Sequence, residues 1–140
     1  MLVNVASMAA HNPIPGMATY AATKAFVLNF TEALWYESRP TGLRVLALSP
    51  GLTSTEFFDV LGGQAYSGSY QSPAEVVRTA LRALDRGAPR PSITSGRLNA
   101  TMTSGVRLLT RKRTVIAAAA AAASATRRAQ GDTHPSAPAS

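Results

Sequence analysis

The sequence predicts an α/β fold around a doubly wound parallel sheet, on three observations. Two short apolar runs of β-prone residues, MLVNVAS at the start and LRVLALS from Leu43 to Ser49, read as strands buried on both faces. Between them, ATYAATKAFVLNFTEALWYESR carries Ala21, Ala25, Leu28 and Trp35 at helical spacing and is closed by Pro40 and Gly42. Strand, helix and strand at this spacing make a βαβ unit, whose crossover is almost always right-handed.

The first strand starts abruptly, although a buried parallel strand needs a neighbour on each side. MAAHNPIPGM, with two prolines and a glycine, is a loop leading to the helix from about Ala18. Pro50 and Gly51 break the second strand, and residues 52–71, rich in Gly, Ser and Tyr, form an adaptable loop. Within it, Thr53 and Thr55 are placed to cap a short helix near Glu56, and Phe57, Phe58, Tyr66 and Tyr70 suit a substrate lid or ordinary core packing equally.

Ser72, Pro73 and Glu75 spell a helix start: N-cap, proline at the first helical position and a capping-box glutamate. Val76, Val77, Ala80, Leu81 and Leu84 form its stripe, and Gly87 is placed to stop it. PSITSG, residues 91–96, is a third strand, and GVRLLTRKRTV a short helix. Beyond Ile116, alanine, serine, proline and arginine bury too little surface to offset their ordering entropy. Residues 1–116 are therefore expected to form one domain, and residues 117–140 a disordered, low-complexity basic tail.

Charge follows the same division. The net charge is +7, of which residues 1–96 contribute +1 and residues 97–140 contribute +6. The basic character thus says nothing about what the N-terminal body binds. The chain has no cysteine, so disulfide and thiolate chemistry are excluded and a cytoplasmic location is the default expectation. His11 and His134 lie far apart without carboxylates at ligand spacing, so no metal is expected. The longest apolar run, Val115 to Ala123, falls far short of the about 20 residues that span a bilayer.

Tyr20 and Lys24 stand one helical turn apart and project from the same face. An ammonium beside a phenol favours phenolate, which suits the phenol to general acid–base work. Ser7, at the carboxyl end of the first strand, and the Pro50-Gly51 turn, at the carboxyl end of the second, face the same crevice, where open parallel sheets bind ligands. His11 lies in the intervening loop, where a solvated histidine is the favoured reading over a substrate contact.

VNVAS, YAATKAF and SPGLTST, in this order and spacing, resemble the classical short-chain dehydrogenases and reductases, with SPAEVVRTALRAL a looser continuation. The resemblance implies the C-terminal half of a Rossmann-like domain and an NAD(P)-dependent oxidoreductase interconverting a carbonyl and a secondary alcohol. It assigns Tyr20 as acid/base. It assigns Lys24 to ease deprotonation of that phenol and hold the nicotinamide ribose, and Ser7 to bind the substrate oxygen. Tyr20, Lys24, Pro50, Gly51, Leu52, Thr53 and Thr55 would contact NAD or NADP. The implied partner is a small carbonyl or alcohol substrate, and the parent family is usually homo-oligomeric.

The family's glycine-rich turn, which cradles the cofactor pyrophosphate at a helix N-terminus, has no counterpart in this sequence. The expectation is an inactive fragment, from a truncated gene or an internal start. A rival reading is a non-catalytic module whose clustered arginines bind nucleic acid or an anionic surface. The tail has no interleaved aromatic residues for base stacking, so nucleic acid is not the favoured partner.

Overall fold

A computed structural model describes residues 1–54, 70–86, 90–106 and 110–131. Three strands, β1 (Leu2–Val5), β2 (Val45–Ser49) and β3 (Ser92–Thr94), form one parallel sheet in the order β1-β2-β3. The helices are α1 (Ala18–Glu37), α2 (Pro73–Leu84), α3 (Arg97–Val106) and α4 (Arg111–Gly131). One-turn 3-10 helices at Met8–His11 and Arg39–Thr41 punctuate the connections. Gly42 ends the second of them at φ 72°, a left-handed conformation that costs glycine little.

Strand β2 organises the core, because all five of its residues are buried and alternate side chains leave by opposite faces. Leu46 and Leu48 pack with Val76, Ala80 and Leu84 of α2, flanked by Val3 and Ile93. Ala47 points the other way and packs with Ala6 and Leu28 of α1. Each face thus has its own helix, the doubly wound arrangement the sequence predicts.

Polar side chains complete these contacts. On the α1 face, Asn4 donates to the buried Thr31 hydroxyl at 3.0 Å, and Thr31 donates back to the Val27 carbonyl at 2.6 Å. Farther along α1, Ser92 donates to Glu32. On the α2 side, Arg44 donates to the Leu84 carbonyl at 2.9 Å.

The capping box at Ser72 is complete. Its hydroxyl accepts from the Glu75 N–H at 3.3 Å, while the Glu75 carboxylate accepts from the Ser72 N–H at 2.8 Å. The buried stripe of α2 is narrower than expected. Val76, Ala80 and Leu84 are buried, whereas Val77 and Leu81 are exposed, because a single sheet face receives the i, i+4 row.

The Ser72 N–H, and then its hydroxyl, hold the Glu75 carboxyl below the ordinary carboxylate range. In the unfolded chain this carboxyl reverts to its ordinary value. Its contribution is therefore full above that value and is lost as pH falls through the depressed folded one. Ser72→Ala is expected to cost about 1 kcal/mol at neutral pH. Thermal melts should show the gap to wild type narrowing in acid.

One difference from expectation lies beyond β3. The helix α3 occupies a Thr-, Ser- and Asn-rich stretch left unassigned by sequence, while α4 runs through the alanine tract to Gly131 as a helix with little packed against it. Alanine has the highest helix propensity, so the tract forms helix without a core to pack on. Of the described α4 side chains only Thr114, in the first turn, is buried.

Candidate active site

The site is built at the carboxyl ends of β1 and β2. After Val5 the chain stays tied to β2, with the Ala6 N–H donating to the Leu48 carbonyl at 2.7 Å and the Met8 N–H to the Pro50 carbonyl at 3.0 Å. These two bonds bracket Ser7 and hold it beside the Pro50-Gly51 turn. Ser7 caps the 3-10 turn, its oxygen accepting from the Ala9 N–H at 3.1 Å, which leaves its O–H to donate elsewhere.

Tyr20 lies in the first turn of α1 and Lys24 one turn later, both half-buried. The Lys24 ammonium lies 5.9 Å from the centre of the Tyr20 ring and donates to the Val5 carbonyl at 3.0 Å. It therefore bridges the tyrosine to the end of β1, two residues before Ser7. Each of Pro50, Gly51, Leu52 and Thr53 is half-buried where β2 ends, and the Thr53 hydroxyl donates to the Gly51 carbonyl at 3.0 Å. Thr55, Phe57, Phe58, Tyr66 and the expected helix near Glu56 lie outside the described residues, and Tyr70 is exposed.

Asn99 and Gln71, near the site, escaped the sequence reading, and His11 departs from the reading favoured for it. His11 is not simply solvated: it is half-buried, with its Nε2 3.3 Å from the Oγ of buried Ser49 at the end of β2. Asn99 of α3 reaches under the turn and donates to the Ser95 carbonyl at 2.9 Å. A Cβ on Gly51 would lie 2.1 Å from the Asn99 Nδ2, so glycine alone permits this approach. Gln71 pairs with the turn through its backbone, its N–H donating to the Leu52 carbonyl at 2.8 Å and its carbonyl accepting from the Ser54 N–H at 2.9 Å. Such long-range contacts leave no local sequence signal, although a glycine directly after a strand-ending proline hints at close backbone approach.

Among the described residues no cluster of potential ligands could hold a metal, and no helix is long and apolar enough to cross a membrane. The chemistry on offer is thus a phenol, a hydroxyl and a cation around one strand end.

Residues 1–64 match the family model described as short chain dehydrogenase. This amino-terminal part of the chain is similar to the short-chain dehydrogenases. Sulfoacetaldehyde reductase 2 of Chromohalobacter salexigens is 45% identical over 56 residues, which are 40% of this chain and 22% of the reductase. Among solved structures, a short chain dehydrogenase from Burkholderia cenocepacia in complex with NADP is similar at a TM-score of 0.63 and 28% identity, over 79% of this chain and 45% of that one. A short-chain dehydrogenase from Sphingobium yanoikuyae in complex with NADPH matches at a TM-score of 0.63 and 25% identity, over 99% of this chain and 47% of that one. The chain thus spans less than half the length of these short-chain dehydrogenases.

Proposed function

We propose that the chain carries the proton-transfer half of an NAD(P)-dependent oxidoreductase interconverting a carbonyl and a secondary alcohol. The observation that carries this reading is the Lys24 ammonium, set between the Tyr20 ring and the end of β1 at the same sheet end as the Pro50-Gly51 turn.

In the reducing direction the Tyr20 hydroxyl gives its proton to the carbonyl oxygen, and in the oxidising direction the phenolate takes it back. Lys24 stabilises the phenolate, and the Ser7 O–H donates to the substrate oxygen and fixes its position. The backbone of Pro50, Gly51 and Leu52, with Thr53, lines the nicotinamide end, and the bound cofactor supplies the hydride. The residues present fit that end. Gly51 lets Asn99 pack directly against the backbone of this turn, which supports its position beside Ser7. They do not fit a pyrophosphate, since the β1–α1 connection holds Gly16 alone and no glycine-rich turn. The full reaction therefore needs a second, glycine-rich half, and the chain by itself is an inactive fragment.

The test is a chimera in which the amino-terminal remainder of the Chromohalobacter reductase precedes residues 1–140. It is expected to oxidise NADH or NADPH with a carbonyl panel that includes sulfoacetaldehyde. Tyr20→Phe should lower turnover by about 10²- to 10⁴-fold. A folded, cofactor-binding chimera whose turnover is indifferent to Tyr20→Phe would overturn the assignment.

A further inference from the structure

We infer that Asn99 of α3 is a positioning residue for the turn at Pro50 and Gly51, wedged between two glycines that follow the ends of neighbouring strands. The inference deepens the dehydrogenase reading of that turn and rests on it. Strand β2 ends at Ser49 and β3 at Thr94, which pair in register, and the Ser95 N–H continues the ladder to the Ser49 carbonyl at 3.0 Å. Gly51 and Gly96 each stand two residues past a strand end. A Cβ on Gly51 would overlap the Asn99 Nδ2, and one on Gly96 would lie 3.0 Å from the same atom. The Asn99 amide therefore sits against both α-carbons, held there by its bond to the Ser95 carbonyl at 2.9 Å. Gly96 has a second reason to be glycine, a left-handed φ of 88°. Gly51 has none: its φ is not positive, so only the Asn99 amide and the Met8 sulfur, 3.3 Å from such a Cβ, oppose a side chain there.

Helix α3 packs against β3 and also against the 3-10 turn at Met8–His11, which Ser7 caps. It thus touches both turns that frame the site. The Met8 N–H joins those turns by its 3.0 Å bond to the Pro50 carbonyl, and Asn99 fixes the other side of Gly51. Their separation sets where a nicotinamide beside Gly51 stands relative to a substrate oxygen at Ser7. Hydride transfer tolerates little error there, since a misplacement of about 1 Å can cost about 10²-fold. Helix α3 lies outside residues 1–64, so the family match assigns it no part in the site.

A double-mutant cycle on the whole chain tests the wedge, and turnover in the chimera with the Chromohalobacter half tests its consequence. Asn99→Ala and Gly51→Ala should each raise the unfolded-to-folded ratio in urea about tenfold, the scale of one hydrogen bond lost beside the buried Ser95. Combined, they should raise it no further than Asn99→Ala alone, because both break one contact and the alanine then has room. Multiplication of the two effects would overturn the wedge. In the chimera, Asn99→Ala should lower kcat by about 10- to 10²-fold. The dissociation constant for NADH or NADPH, set by groups of the cofactor remote from the nicotinamide, should stay within about twofold of wild type. An asparagine that only stabilises the fold would move the melts and not kcat. An unchanged kcat, or a loss confined to cofactor affinity, would overturn the positioning role. A wild-type chimera that binds cofactor but turns over no carbonyl would instead fail the dehydrogenase reading and the positioning role with it, while the melts alone decide the wedge.

Discussion

Purified as its 140 residues, the chain is expected to bind neither NADH nor NADPH at micromolar concentration and to reduce no member of a carbonyl panel. Proton transfer is only part of the reaction. Hydride transfer requires the nicotinamide within near-attack distance of the substrate carbon, and such positioning supplies roughly 7 to 11 kcal/mol. Groups remote from the reacting carbon provide much of the binding energy that holds this geometry. The sequence holds no glycine-rich strand-to-helix turn to receive the pyrophosphate, and on the proposed reading the turn at Pro50 and Gly51 would reach only the nicotinamide end. Fluorescence titration with each dinucleotide, followed by the carbonyl assay, checks the expectation. Micromolar affinity with turnover abolished by Tyr20→Phe would mean that the chain contains a complete site.

Legibility in the sequence followed the range over which each feature is determined. β2 and α1 were readable because burial on both faces writes an apolar run into VLALS and because α1 has apolar positions at helical spacing, whereas LVNV, also expected to be buried on both faces, is only part-buried with Val5 exposed. The α2 start was readable because its capping box is a local bond pattern confined to Ser72 and Glu75. The Tyr20–Lys24 pair was readable for the same reason, being one helical turn.

What stayed hidden is held by tertiary contact. Helix α3 is built from RLNATMTSGV, a sequence of low helix propensity. Its Thr103 hydroxyl bonds the Asn99 and Ala100 carbonyls and lies 3.2 Å from the Thr94 hydroxyl at the end of β3. Neither contact has a periodic signature. The close fit of Asn99 against Gly51 and the His11–Ser49 contact likewise join residues distant in sequence.

Leu46→Ala is expected to cost 2 to 5 kcal/mol, a range of about that size for emptying a large aliphatic site in a core. Leu46 is fully buried at the centre of the three-stranded sheet, against Val76, Ala80 and Leu84 of α2. Ordinary domains hold only about 5 to 15 kcal/mol of net stability, and this chain leaves the stacked Phe26–Phe30 pair exposed. The loss therefore threatens the whole fold rather than one contact. Val5→Ala, at a half-exposed edge position, should change stability by no more than about 0.5 kcal/mol. Urea denaturation of both variants, followed by circular dichroism, distinguishes them. The same β2 strand ends in Ser49 and leads into Pro50 and Gly51, so a cavity at Leu46 also loosens the backbone to which Ala6 and Met8 tie Ser7. Equal midpoints for Leu46→Ala and Val5→Ala would mean that β2 does not carry the core.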